Sequence, residues 1–282
     1  MSHQNTSRLK YFLDKVPPGF LVDTTWLKKR EGIDPKTIHR YVKHGWLEHV
    51  VRGVYRRPSP EKTHKSADID WQIALLSLQW IMGKDMHLGG ESALDLAGYA
   101  HYLPFEGKPS IHLYGDVPSW LKRLPTKAQF VIHNCSPFGD NPVGIIDEIR
   151  YIQSGLHTLD AWRWPIKISS PERAILEMLD KISPNSVSFD NLSKIFESLT
   201  SLQPELLVQL LNVCRSVKVR RLFFVFADYH QHAWRKYIDT SDIDFGSGPR
   251  ALIKGGKLHP SYRIYVPADF MPSQKTGNVQ HE

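Results

Sequence analysis

Asp34-Pro35-Lys36-Thr37-Ile38-His39-Arg40-Tyr41-Val42-Lys43-His44-Gly45 is the stretch from which the N-terminal fold can be read. An aspartate can accept an orphan N–H of a first helical turn, and proline tolerates the first helical position, so a helix is predicted over 35–44. Ile38, Tyr41 and Val42 share one side of it, and Lys36, Thr37, Arg40 and Lys43 share the other. Gly45 closes it. Upstream, Asp23 or Thr24 caps a helix running to about Arg30 with Trp26 and Leu27 inward. Phe20-Leu21-Val22 precedes that helix as an extended piece, and Glu31-Gly32-Ile33 follows it as a tight turn. Ser7–Lys15 is helical in pattern and is ended by Val16-Pro17-Pro18-Gly19. Downstream, Trp46–Val51 and Val54–Arg57 flank Arg52-Gly53 and read as a hairpin.

Helix, helix, turn, helix and basic hairpin are the plan of a winged helix-turn-helix, whose last helix enters the major groove of duplex DNA. Lys36, Thr37, Arg40 and Lys43 then face the groove, while Arg52, Arg56 and Arg57, with no acidic partner evident in the sequence, meet phosphates. Charge supports this over an interaction module that binds no DNA. Residues 1–65 hold 14 Lys and Arg against six Asp and Glu, whereas the other 217 residues hold 22 against 23. All of the net charge of +7 therefore sits on the first quarter of the chain, as expected where a polyanion-binding module joins a near-neutral body.

Pro58 to Lys65 has the composition of a linker. Beyond it, helices are expected at Asp68–Met82, Ala93–Ala100 (capped by Ser92), Pro171–Asp180 (begun by Ser170), Asp190–Leu199, Pro204–Ser216 and Val219–Tyr237. Extended segments are expected at Ser110–Tyr114, Gln129–Asn134, Ile145–Ile152 and Ile166–Ile168, with a last hairpin of Ala251–Lys254 and Tyr262–Val266 around Gly255-Gly256. The fold class is α+β. A winged helix-turn-helix with its linker occupies 1–65, a larger mixed α/β domain 66–271, and a frayed tail 272–282.

Other chemistry is poorly supported. The apolar run Ile73–Met82 is interrupted by Ser77 and Gln79 and falls short of the ~20 residues of a membrane span. The first residues lack the apolar run of a secretory signal, and Cys135 and Cys214 form no CxxC, so a reduced, cytoplasmic setting is expected. His230 and His232 fall on different helix faces; Asp228 and His232 align better, but spacing supplies no third ligand, so no metal is expected. A nuclease would need converging carboxylates and a lysine; Asp95 with Glu106-Gly107-Lys108 is a weak match, with Asp95 on a helix and Pro109 crowding the lysine. The glycines at 246, 248, 255 and 256 form no phosphate loop, and no acyl-transfer signature is present. Neither an enzyme nor a cofactor is indicated.

Four stretches resemble the AbiEi family of type IV antitoxins: Arg52-Gly53-Val54-Tyr55-Arg56-Arg57-Pro58, Gly90-Glu91-Ser92-Ala93-Leu94, Ile168-Ser169-Ser170-Pro171-Glu172-Arg173-Ala174-Ile175-Leu176-Glu177, and the C-terminal block. That block comprises Asp244–Arg250, Lys254–Leu258 and Tyr262–Pro267. Pro249 stands where relatives are expected to carry a basic residue. The resemblance implies a winged helix that represses its own operon at repeated sites in the promoter. It also implies a C-terminal domain that counters a nucleotidyltransferase-like toxin encoded beside it, without forming a stable complex. Arg220, Arg221, Arg250 and Lys254 are the candidates for the antitoxic surface; of the adjacent Arg220 and Arg221, one at most should be buried.

Overall fold

A computed structural model describes residues 11, 14–59, 68–99, 108–133, 136–148, 164–183 and 185–272. The chain forms two compact units, one of residues 1–92, 102–135 and 145–168, the other of residues 93–101, 136–144 and 169–282. Most of the expected first helix, most of the linker and nearly all of the tail lie outside the described residues.

The first unit begins with β1 (Leu21–Asp23), α1 (Thr24–Lys29), α2 (Pro35–Lys43), β2 (Glu48–Val51) and β3 (Val54–Arg56), the strands lying in the order β1-β3-β2. Local signals place each start. Asp23 Oδ1 accepts from Trp26 N–H at 2.7 Å, and Asp34 Oδ1 accepts from Thr37 N–H at 2.9 Å. The β2–β3 turn requires Gly53, which holds φ +80° while its carbonyl accepts from Thr24 N–H at 2.9 Å.

Next come α3 (Trp71–Leu76), extended by a π-helical turn over Ser77–Ile81, then β4 (Met86–Leu88) and α4 (Gly90–Leu96), within which the chain leaves the first unit. β5 (Ser110–Gly115), β6 (Gln129–His133), β7 (Ile145–Glu148) and β8 (Ile166–Ser169) complete a sheet of order β6-β5-β4-β8-β7. The polar residues that interrupt the apolar run are working parts of this core. The Ser77 hydroxyl donates to Ile73 O at 2.6 Å and accepts from Leu21 N–H at 2.9 Å, which ties β1 to the π-helical turn. The buried Gln79 amide donates to Met86 O and Lys167 O and accepts from Lys167 N–H, stitching β4 to β8. Burying either group without such partners would cost ~1–3 kcal/mol.

The second unit is mainly helical: α5 (Pro171–Lys181), α6 (Ser186–Ser198), α7 (Pro204–Val213) and α8 (Val217–His230), then the short pair β9 (Lys257–Leu258) and β10 (Tyr265–Val266). Ser170 caps α5, and the motif around it is structural. Arg173 Nε meets Glu177 Oε1 at 2.9 Å, Arg173 Nη1 donates to Asn141 O and Val143 O at 2.7 Å, and the Ser169 hydroxyl donates to Glu177 Oε2 at 2.9 Å. The ion pair is fully buried and hydrogen-bonded throughout, the condition under which a buried pair is tolerated. Helix α8 is enclosed, with every residue from Val219 to Ala227 buried.

Several sequence expectations are corrected. Ser92 does not cap α4, which starts two residues earlier; its hydroxyl donates to Ser110 O and accepts from His112 N–H. Strand β4 was not anticipated. Helix α8 stops at His230 because Gln231 turns left-handed, φ +52°, and a separate 3₁₀ turn covers Ala233–Tyr237. The last hairpin shrinks to two residues per strand.

Candidate nucleic-acid interface

Helix α2 buries Ile38 and Tyr41 and leaves Lys36 and Lys43 exposed and Thr37 and Arg40 half-buried. Among the described residues, Lys36, Arg40, Lys43 and Arg52 have no carboxylate partner. Thr37 is committed otherwise. Its N–H and its hydroxyl both donate to Asp34 at 2.9 Å, which holds that carboxyl below the usual range and makes Thr37 part of the helix start. His44, just past the helix, stacks on Trp46 with centroids 5.0 Å apart.

The three wing arginines differ. Arg52 is exposed at the turn. Arg56 has an acidic partner after all, because register sets Glu48 directly across the ladder: Nε and Nη2 reach Glu48 Oε2 at 3.0 and 2.7 Å. Arg57 Nη1 donates to Val16 O at 2.6 Å, and burial lowers its pKa against the opposing pull of Asp14. Three further exposed cations, Lys28, Lys29 and Arg30, end α1. Their run in the last turn of the first helix was the signal available for them, since that helix crosses the phosphate backbone in helix-turn-helix complexes.

In the second unit, the expectation that one of Arg220 and Arg221 is free is corrected: both are buried, at 8% and 1% exposure. Enclosure of α8 on nearly all sides leaves neither position facing solvent. Arg221 donates to the carbonyls of Phe245, Gly246, Gly248 and Arg263 at 2.7–3.1 Å, so it organises the Asp244–Arg250 loop. Arg220 Nη1 donates to Cys214 O at 3.0 Å, and its Nη2 lies 3.5 Å from Asp244. Arg250 and Lys254 are exposed.

The residues weighed for other chemistry are engaged in structure. His230 Nε2 meets the Ser193 hydroxyl at 2.9 Å, His232 Nε2 donates to Phe196 O at 2.7 Å, and Asp228 binds Arg235 and Tyr262. No cluster of three or more metal-ligating side chains occurs among the described residues. Lys108 Nζ donates to Thr126 O at 2.7 Å, while Glu106 lies outside the described residues. No described helix is long and apolar enough to cross a membrane.

The family model described as the AbiEi antitoxin N-terminal domain of a transcriptional regulator matches residues 5–105. The model described as a transcriptional regulator, AbiEi antitoxin of a type IV TA system, matches residues 108–267. No curated protein matches the chain. Among solved structures, the RV2827C protein from Mycobacterium tuberculosis is similar at 19% identity and a TM-score of 0.49, over 92% of this chain and 89% of that one. With both models matched in order along nearly its whole length, the chain belongs to the AbiEi antitoxin family of type IV toxin–antitoxin systems, a family of transcriptional regulators.

Proposed function

We propose that the chain represses its own operon through the winged helix and counters a nucleotidyltransferase-like toxin encoded beside it through the region beyond residue 65, without a stable complex. Lys36, Arg40 and Lys43 read or flank base edges in repeated promoter sites, and Arg52 meets phosphate. One observation carries the DNA-binding half: these four cations stand on the exposed side of α2 and at the wing turn with no carboxylate partner among the described residues. The antitoxic half is supported by family membership, with Arg250 and Lys254 the exposed members of the candidate surface. A gel shift with promoter and scrambled duplexes tests the first half. Arg40→Ala should weaken promoter binding by ~1–3 kcal/mol and blur the preference over scrambled DNA. Equal promoter affinity of variant and wild type would overturn the assignment. Co-expression with the neighbouring toxin tests the second half: Arg40→Ala and Lys43→Ala together should leave growth rescue intact, and a lost rescue would overturn the division of roles.

A further inference from the structure

Histidine is the side chain whose charge ordinarily changes between pH 5 and 8. Among the described residues of this chain, every histidine but one packs its ring against another ring. In the first unit His44 lies on Trp46, His49 on Tyr55, His87 on Tyr114, and His112 and His133 on each other. The described histidines of the second unit are stacked in the same way. The exception is His39, an exposed residue of α2 whose side chain makes no ring contact, hydrogen bond or ion pair among the described residues. Its place on the helix is specific. Lys36, His39, Arg40 and Lys43 stand at i, i+3, i+4 and i+7 and are therefore surface neighbours, on the side opposite the buried Ile38 and Tyr41. Lys28, Lys29 and Arg30 at the end of α1 and Arg52 at the wing turn add further exposed cations. The carboxylates of the winged helix are already taken. Asp23 caps α1, Glu31 pairs with Lys15, Asp34 binds Thr37, and Glu48 binds Arg56. None of them is left to pair with an imidazolium at position 39.

We propose that His39 contacts DNA from the centre of this row and takes up a proton as it does so, which makes the winged helix hold its operator more tightly as pH falls. The inference rests on the winged-helix reading above and adds to it a contact residue and a form of regulation. A neutral imidazole has one N–H to donate and an imidazolium has two. Phosphate oxygens and the O6 and N7 of guanine are acceptors, and a nearby negative charge favours the charged ring. An imidazole held against DNA therefore keeps its proton at a pH where the same ring in the free protein has released it. The affinity gained in this way is fully present below the free-state pKa and is lost as pH rises through the higher bound-state value. Lysine and arginine keep their charge across this range, so the row has one member that a proton can switch.

The test measures fluorescence anisotropy of the full chain with promoter and scrambled duplexes, at pH 6 and at pH 8, across a salt series at each pH. Wild type should bind the promoter about five- to tenfold more tightly at pH 6 than at pH 8. Its log-affinity against log-salt slope should be steeper at pH 6 by up to about one unit, because the added charge displaces a counterion. His39→Gln, which stays uncharged, should lose most of the tightening and of the slope change. His44→Gln should keep both. Tightening on the promoter alone places the ring on a base edge, and tightening on both duplexes places it on a phosphate. A wild type whose affinity ignores pH, or a His39→Gln variant that keeps the whole response, would overturn the proposal. Arg40→Ala at pH 8 keeps the two readings apart. If that variant binds the promoter as wild type does, the winged-helix assignment itself fails. If it binds more weakly while wild type ignores pH, the assignment stands and the role of His39 alone is lost.

Discussion

Trp120 and Asp23, 97 residues apart, share a buried hydrogen bond: the indole N–H donates to Asp23 Oδ2 at 3.0 Å. The other oxygen of the same carboxylate caps α1. One aspartate thus starts the first helix of the helix-turn-helix and satisfies a tryptophan from the 3₁₀ turn between β5 and β6, so the winged helix is built into the first unit by groups far beyond residue 65.

Asp23→Ala should therefore cost more than a lost cap. The cap is worth ~1 kcal/mol and an unsatisfied buried indole N–H ~1–3 kcal/mol, so urea unfolding should show a loss of ~2–4 kcal/mol. A loss under ~1 kcal/mol would mean that the Trp120 bond contributes nothing to stability.

The three wing arginines should separate by experiment. Arg52→Ala should leave stability unchanged and flatten the salt dependence of DNA affinity by roughly one unit. Arg57→Ala should lower thermal stability, because the Val16 carbonyl loses its charged donor. Arg56→Ala should affect the salt slope less than Arg52→Ala, since Glu48 already occupies the guanidinium. Equal slope changes for all three would refute this ranking.

Arg221→Ala should destabilise the second unit by at least ~3 kcal/mol, as four carbonyls lose a charged donor. Arg221→Lys should rescue little of that, because an ammonium cannot span a planar fork of acceptors. Chemical denaturation of both variants decides it; a lysine variant as stable as wild type would show that charge alone suffices.

Acidification should destabilise the fold through its histidines. Burial lowers the pKa of His112, His230 and His259, so the unfolded chain takes up protons at these sites before the folded one does. The stability they contribute is present above the unfolded value of ~6.5 and is lost as pH falls through the lower folded values. His259 adds a geometric reason, since its Nδ1 accepts from Tyr262 N–H and cannot do so once protonated. Melting temperature should fall between pH 7 and 5, and His259→Asn should lessen the fall. A melting temperature that rises over that range would contradict the argument.

Local chemistry was legible in the chain. Asp23, Asp34-Pro35, Ser170-Pro171 and Pro204 mark helix starts within a residue or two, because a cap and its N–H partners lie within one turn of each other. The inward face of α2, the glycine turn of the wing and the segregation of charge onto the first quarter are likewise properties of neighbouring residues. Strand β4 was not legible, since the three residues Met86-His87-Leu88 are too few to show a period and become a strand only between β5 and β8. Tertiary structure alone decided which cations are free. Arg56 faces Glu48 because of strand register, Arg57 reaches a carbonyl 41 residues away, and Arg221 serves carbonyls brought from Phe245 to Arg263. A guanidinium can satisfy any acceptor that packing delivers to it, and packing delivers acceptors from distant parts of the chain. The amino-acid sequence thus determined where charge is carried, and the fold determined which of that charge is left for a partner.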